Sequence, residues 1–430
     1  MNILYNIGTR AYFLGIRLAA AFGHRKAVLM EEGRKDWAQR LQSRMAQLRA
    51  ETPDRPWIWF HAASLGEFEQ GRPLIESLRE KYPHYRILQT FFSPSGYEVR
   101  KNYKGADVVC YLPYDKPAEC RRFLDIVQPE QVFIVKYEFW GNILEELKRR
   151  QIPTYLISGI FRPRQAFFKW YGGMLRPVLG TFRHMFVQDE ESKRLLASIG
   201  FDQNVTICGD TRFDRVIAIQ QQAKQYAWAE VFSQGHFVLV AGSSWPKDED
   251  ILLDHFNRHP EMRLIIAPHE IHEEHIQGIL AKLKRPVVRY SEMKPHIEAG
   301  NMQAAIDLLQ GKDCIIIDAI GFLSSIYRYG HVAYIGGGFG VGIHNTLEAA
   351  VYGMPVVFGP NHTAFREALG LIAAQGGFTI SDAASYDAVM NRFMTDARAT
   401  AEAGRNAGSY VQAESGATDT IFGAVFGTSL

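Results

Sequence analysis

Residues 57–92 read WIWFHAASLGEFEQGRPLIESLREKYPHYRILQTFF, and their patterning decides the fold. WIWFHAA is apolar on both faces, as a buried strand requires. FEQGRPLIESLREKY has the spacing of an amphipathic helix, and RILQTFF is a second buried strand. Strand, helix and strand in that order make a βαβ unit with parallel strands. Downstream, DVVCYLP, QVFIVKY, TYLISGI and HMFVQDE continue the strands, with PAECRRFLDIV and NILEELKRR as helices among them. The alternation fades into a polar, Gln-rich stretch over 213–235, then restarts with FVLVAGSS, RLIIAPH, PVVRY, CIIIDAI, VAYIGGG and PVVFGP. The expected architecture is α/β, with two doubly wound domains over 26–212 and 236–430 joined by a linker at 213–235. The last helix is free to pack back on the first domain. Ligands of such sheets bind beyond the carboxyl ends of strands, at the point where strand order reverses. With two facing domains, the expected site is the cleft between them.

The 430 residues, 47% hydrophobic and 22% charged, exclude disorder and coiled coil. A net charge of +2 argues against a dedicated nucleic-acid binder. Cys110, Cys120, Cys208 and Cys314 form no C-x-x-C pair, so a reducing compartment is expected. Charge is uneven, however. Residues 1–50 carry nine Lys/Arg against three Asp/Glu. The run from Lys148 to Met185 holds eight Lys/Arg, among them Arg149, Arg150, Arg162, Arg164 and Lys169, and no acid. Such a run, interleaved with aromatics, suits phosphate or an anionic lipid surface. In residues 1–25, a helix would place Ile3, Leu4, Ile7, Ala11, Leu14, Leu18 and Phe22 on one face and Asn6, Arg10 and Arg17 on another. That pattern fits a helix lying in a membrane interface rather than spanning it.

Four segments stand where chemistry is expected, after strands. In His61-Ala-Ala-Ser-Leu-Gly-Glu67 the carboxylate of Glu67 ends a strand, and its position suits a general base. The same S-x-x-E spacing from Ser64 is equally a capping box. Glu138 follows the strand QVFIV. Trp140 beside it suits either a sugar ring or the core, and Asn142 suits a helix cap. The run Gly336 to Glu348 (GGGFGVGIHNTLE) follows VAYI, and Gly337 and Gly338 allow a phosphate to approach the backbone. Its spacing is not G-x-G-x-x-G, which argues against a dinucleotide site. Glu348, at the start of the next helix, is placed to accept from ribose hydroxyls. In PHEIHEEH, from Pro268 to His275, the histidines lack H-E-x-x-H spacing, so no metal is expected.

Together these segments resemble the Kdo (3-deoxy-D-manno-octulosonic acid) transferases of lipid A synthesis. The resemblance runs from the N-terminal segment to about residue 370. Its pieces are, in order, WFHAASLGE, FFSPSG, YLPYD, YEFWGN, GDTRFD, AGSSWPKDE, APH, GFLSSIY and GGGFGVGIHNTLEAAVYGMPVVFGP. It implies a GT-B fold of two Rossmann-like halves and an inverting transfer of Kdo from CMP-Kdo to a glucosamine hydroxyl of tetraacylated lipid A precursor. It implies Glu67 as general base and Glu138 as the second acidic motif. It places CMP contacts on Pro268 and His269, on Gly321, Phe322 and Leu323, and on Asn345, Thr346, Leu347 and Glu348. No cofactor is implied. The expected partners are CMP-Kdo, the lipid A precursor and the cytoplasmic face of the inner membrane, with no nucleic acid. The chain departs from the family pattern at three places, with His269 for the usual Arg, Phe322 for Glu, and Lys136 and Gly141 within the E-T-E-x-W-P-N motif. The residues alone also admit a GT-B enzyme of UDP-sugars, transferase or 2-epimerase, and a non-catalytic anionic-lipid binder.

Overall fold

β1 (Trp57–Ala62), β2 (Arg86–Phe91) and β3 (Val108–Tyr111) lie side by side, and β4 (Gln131–Val135) pairs with the other edge of β1. β5 (Thr154–Gly159), β6 (His184–Val187) and β7 (Val205–Ile207) extend the sheet beyond β4. The order is β3-β2-β1-β4-β5-β6-β7, all parallel, so strand order reverses between β1 and β4. The computed structural model describes residues 3–427; residues 1–2 and 428–430, the extreme ends of the anticipated 1–25 and 236–430 segments, lie outside the described residues.

A second parallel sheet is built from β8 (Phe237–Ser244), β9 (Met262–Pro268), β10 (Val287–Arg289), β11 (Cys314–Ile316), β12 (Val332–Ile335), β13 (Val356–Phe358) and β14 (Gly377–Thr379). Its order is β10-β11-β9-β8-β12-β13-β14, and the reversal falls between β8 and β12. By contacts the chain divides into two units, Met1–Arg215 with Ser415–Leu430, and Val216–Glu414. The segment 213–235, expected as a linker, is not a plain connection. It carries most of the helix Thr211–Gln221 and all of the helix Ala227–Ser233, whose Trp228 and Phe232 are buried.

Period-two side-chain alternation explains why each strand is apolar throughout. In the first sheet Trp57, Trp59, Leu88, Val132 and Ile134 feed one core, and Ile58, Phe60, Ile87, Phe133 and Val135 feed the other. Ile421 and Phe422 of the last helix, Ala417–Phe426, join the second of these cores. Asp214 of the GDTRFD segment fixes that helix, accepting from the backbone N–H groups of Gly416 (2.6 Å) and Thr418 (2.7 Å) and from the Thr418 hydroxyl (2.6 Å).

The N-terminal helix, Ile3–Ala21, turns Tyr5, Asn6, Thr9 and Phe13 inward, while Arg10 and Arg17 stay exposed. Tyr5 donates to Asp115 (2.7 Å), Asn142 Nδ2 donates to Asn6 (2.8 Å), and Phe13 is buried against Tyr114. Ile3, Leu4, Ile7, Leu14, Leu18 and Phe22 face outward, Phe22 being 88% exposed.

Candidate functional site

At the first reversal, two carboxylates follow the two central strands. Glu67 lies on the first turn of the helix Leu65–Lys81, which begins directly after β1. Its Oε2 accepts from the Ser64 backbone N–H (2.9 Å) and hydroxyl (3.2 Å), so the capping geometry is real. Oε1 makes no hydrogen bond among the described residues and is not sealed from solvent. The residue is only 7% exposed. Burial pushes the Glu67 carboxyl up from its ordinary range, and the charge of Glu138 pushes it further. Lys136 and the Ser64 hydrogen bonds act the other way without overcoming this.

Glu138 follows β4. Its Oε2 accepts from Trp140 Nε1 (2.7 Å) and lies 3.5 Å from Nε2 of His61. His61 is nearly inaccessible, at 1%. Its Nδ1 sits 2.8 Å from the Thr90 hydroxyl, which also accepts from Trp59 Nε1 (2.8 Å). His61 went unassigned in the sequence reading. Its signal was an ionisable residue inside a strand buried on both faces. Lys136, between the strand end and Glu138, holds φ at +62°, a conformation that costs a non-glycine residue roughly 1–3 kcal/mol. Trp140 packs against Phe92 (4.7 Å) and Phe13 (5.9 Å), linking the N-terminal helix to the Glu138 carboxylate. The cap of the helix Gly141–Arg149 is not Asn142 but Asp115, which accepts from the backbone N–H groups of Asn142 (3.0 Å) and Ile143 (2.9 Å).

At the second reversal, Trp245 follows β8, His269 follows β9 and the glycine run follows β12. Gly336 has no room for a side chain, since a Cβ would lie 2.2 Å from the Ser243 carbonyl oxygen. Gly337 has φ +93°, and its N–H donates to Asp248 (2.8 Å). The following helix is not long but a single turn, Leu347–Ala350. There Asn345 Oδ1 accepts from the Leu347 N–H (3.1 Å) and Asn345 Nδ2 donates to Glu348 (3.0 Å). The Thr346 hydroxyl is fully buried with no hydrogen-bond partner among the described residues. Gly321 has φ +93°, Phe322 packs on Tyr290 (4.4 Å) and Tyr226 (5.3 Å), and Leu323 lies beside Gly242 of β8. Phe322 thus rests between two tyrosine rings. Pro268 closes β9, and the His269 N–H donates to the Ser244 carbonyl (3.0 Å).

Two segments have spatial surroundings that their sequence does not show. The run 148–185 is acid-free in sequence but not in space. Arg149 and Arg150 both grip Glu146, Arg150 also meets Asp125 (2.8 Å), and Arg162 lies 3.4 Å from Asp189. Arg164 and Lys169 have no acidic partner among the described residues. Beside them Trp170 is 94% exposed, with Tyr171 and Met174 also outward. Further, ligand atoms of Glu270, His272 and His275 lie within 4.8 Å of one another. Yet His275 spends one ring nitrogen on the Glu249 carboxylate (3.0 Å) and the other on the Glu270 carbonyl (2.8 Å), and His272 caps the helix Glu273–Lys282.

Residues 35–215 match the family model of 3-deoxy-D-manno-octulosonic-acid transferase (kdotransferase). The chain is 27% identical over 346 residues to the 3-deoxy-D-manno-octulosonic acid transferase of Haemophilus influenzae, covering 78% of each. It is 28% identical over 310 residues to that of Aquifex aeolicus, covering 70% of this chain and 76% of the relative. Among solved structures, a putative UDP-N-acetylglucosamine 2-epimerase from Listeria monocytogenes matches with TM-score 0.56 at 12% identity, over 87% of this chain and 98% of that one. That likeness is one of fold, the GT-B architecture of two parallel α/β sheets.

Proposed function

We propose that the chain is a glycosyltransferase of the Kdo transferase kind, acting in lipid A and lipopolysaccharide biosynthesis, and that it moves Kdo from CMP-Kdo to a glucosamine hydroxyl of the tetraacylated lipid A precursor, lipid IVA, with inversion; the family model over residues 35–215 and the similar Kdo transferases support this reading. The observation that carries the reading is Glu67: a buried carboxylate at the first reversal, raised in pKa, with one oxygen tied down and the other open. A base is most effective when its pKa approaches the working pH, so burial and the neighbouring Glu138 both improve it.

In the proposed step, Oε1 of Glu67 takes the proton of the acceptor hydroxyl as that oxygen attacks the anomeric carbon of Kdo. The bond to CMP breaks with its electron pair, and CMP leaves as a phosphate monoester. Glu138, which accepts from Trp140 and lies 3.5 Å from His61, stands beside the base. The glycine run after β12, with Asn345 to Glu348, Pro268, His269 and Gly321 to Leu323, receives CMP. Backbone N–H groups stabilise the departing charge there, so the step calls on no cofactor.

The outward apolar face of the N-terminal helix, with Trp170, Arg164 and Lys169, supports docking on the cytoplasmic face of the inner membrane. No helix among the described residues is long and apolar enough to cross a membrane. Calorimetric titration with CMP and with UDP tests the donor. CMP is expected to bind; tight UDP binding without CMP binding would overturn the reading. Co-sedimentation with anionic-lipid vesicles, expected to be lost on Leu14→Glu, tests the docking.

A further inference from the structure

Three rings meet at the reversal of the second sheet. The ring planes of Trp245 and His344 are nearly parallel, 7° apart, and the Trp245 Nε1–H donates to Nε2 of His344 at 3.1 Å. The His269 imidazole stacks on both, with centroids 4.7 Å from the indole and 4.4 Å from the His344 ring. An indole N–H can only donate, so the Nε2 it meets must present a lone pair. A neutral imidazole with a bare Nε2 carries its proton on Nδ1. Burial, and after it the neighbouring His269, pushes His344 down to about 4, which keeps the ring neutral near pH 7. Nδ1 has no partner among the described residues and is not sealed from solvent.

We propose that Trp245 locks His344 as the Nδ1–H tautomer, so that His344 offers a neutral hydrogen-bond donor to the phosphate of the nucleotide-activated sugar. Trp245 is the positioning residue and His344 the binding one. A neutral donor can hold an anionic oxygen before and after the sugar departs without giving up its proton to it. The phosphate role rests on the donor reading above; the tautomer does not.

Two measurements on the full chain separate these levels. In ligand-free chain labelled with ¹⁵N-histidine, the His344 signals are identified by their loss in His344→Asn. A bare, pyridine-type Nε2 and a protonated Nδ1 are expected; a protonated Nε2 overturns the lock whatever nucleotide binds. CMP and cytidine affinities are then measured by calorimetry. Trp245→Phe is expected to weaken CMP about tenfold, the scale of one lost hydrogen bond to a charged group, and to leave cytidine unchanged. The amide of His344→Asn reaches the former Nδ1–H position without any tautomer to lock. In that background Trp245→Phe is expected to have no effect on CMP. Equal losses for CMP and cytidine, or a loss persisting in the Asn background, overturn the role. Failure of the unmodified chain to bind CMP overturns the phosphate role together with the donor reading, while the NMR result still decides the tautomer.

Discussion

The two sheets reverse strand order at equivalent places but furnish them with opposite chemistry. After β1 and β4 stand Glu67 and Glu138, two carboxylates of which Glu67 is held above its ordinary range by burial and, after that, by the charge of Glu138. After β8, β9 and β12 stand an indole, two imidazoles and a glycine run. Two acids near the second reversal, Asp248 and Glu249, are already committed. Asp248 accepts from Tyr334, Trp245 and Gly337, and Glu249 from Ser244 while pairing with His275. One scaffold therefore yields a place suited to accepting a proton and another suited to holding an anion. The difference lies in whether the carboxylates stay open or are consumed by the protein itself.

The largest expected effect comes from breaking the first place alone. Glu67→Gln keeps the shape but removes the base, and Kdo transfer should fall by roughly 10²–10⁴-fold. CMP affinity, assigned to the other unit, should stay within about twofold. A joint loss would erase the proposed division of labour.

A smaller effect separates scaffold from chemistry. Asp214→Ala removes three hydrogen bonds that start the helix Ala417–Phe426. It should cost about 1–2 kcal/mol in denaturant unfolding of the first unit, the range of a lost helix cap. The acid limb of the rate profile should not move.

The smallest effect sharpens the contrast electrostatically. A base must be deprotonated to act, and Glu67 is raised. Activity should therefore disappear on acidification at a pH above the ordinary glutamate range. Glu138→Gln removes the like charge that helps raise Glu67, so this limb should shift to lower pH, whatever happens to the plateau rate. A shift to higher pH would contradict the coupling.

The sheets were legible because their strands are apolar throughout, while β7 (VTI) and β14 (GFT) went unread because a threonine, and in β14 a glycine as well, interrupts the apolar run that marked the equally short β11 and β13. Glu67 and Glu138 were legible as acids directly after strands. Three features were not. The pairing of Arg149 and Arg150 with Glu146 comes from acids outside the basic run. The capping of the helix Gly141–Arg149 by Asp115 joins residues about 27 apart. The contact of Trp245 with His344 spans 99 residues and depends on β8 lying beside β12, an adjacency no local pattern encodes.

The central claim is the reaction itself, and mass spectrometry of lipid IVA after incubation with the chain and CMP-Kdo tests it most directly. The expected result is an acceptor heavier by one or more whole Kdo residues, and no change when a UDP-sugar replaces CMP-Kdo. An acceptor left unchanged by CMP-Kdo, or one modified from the UDP-sugar instead, would contradict it.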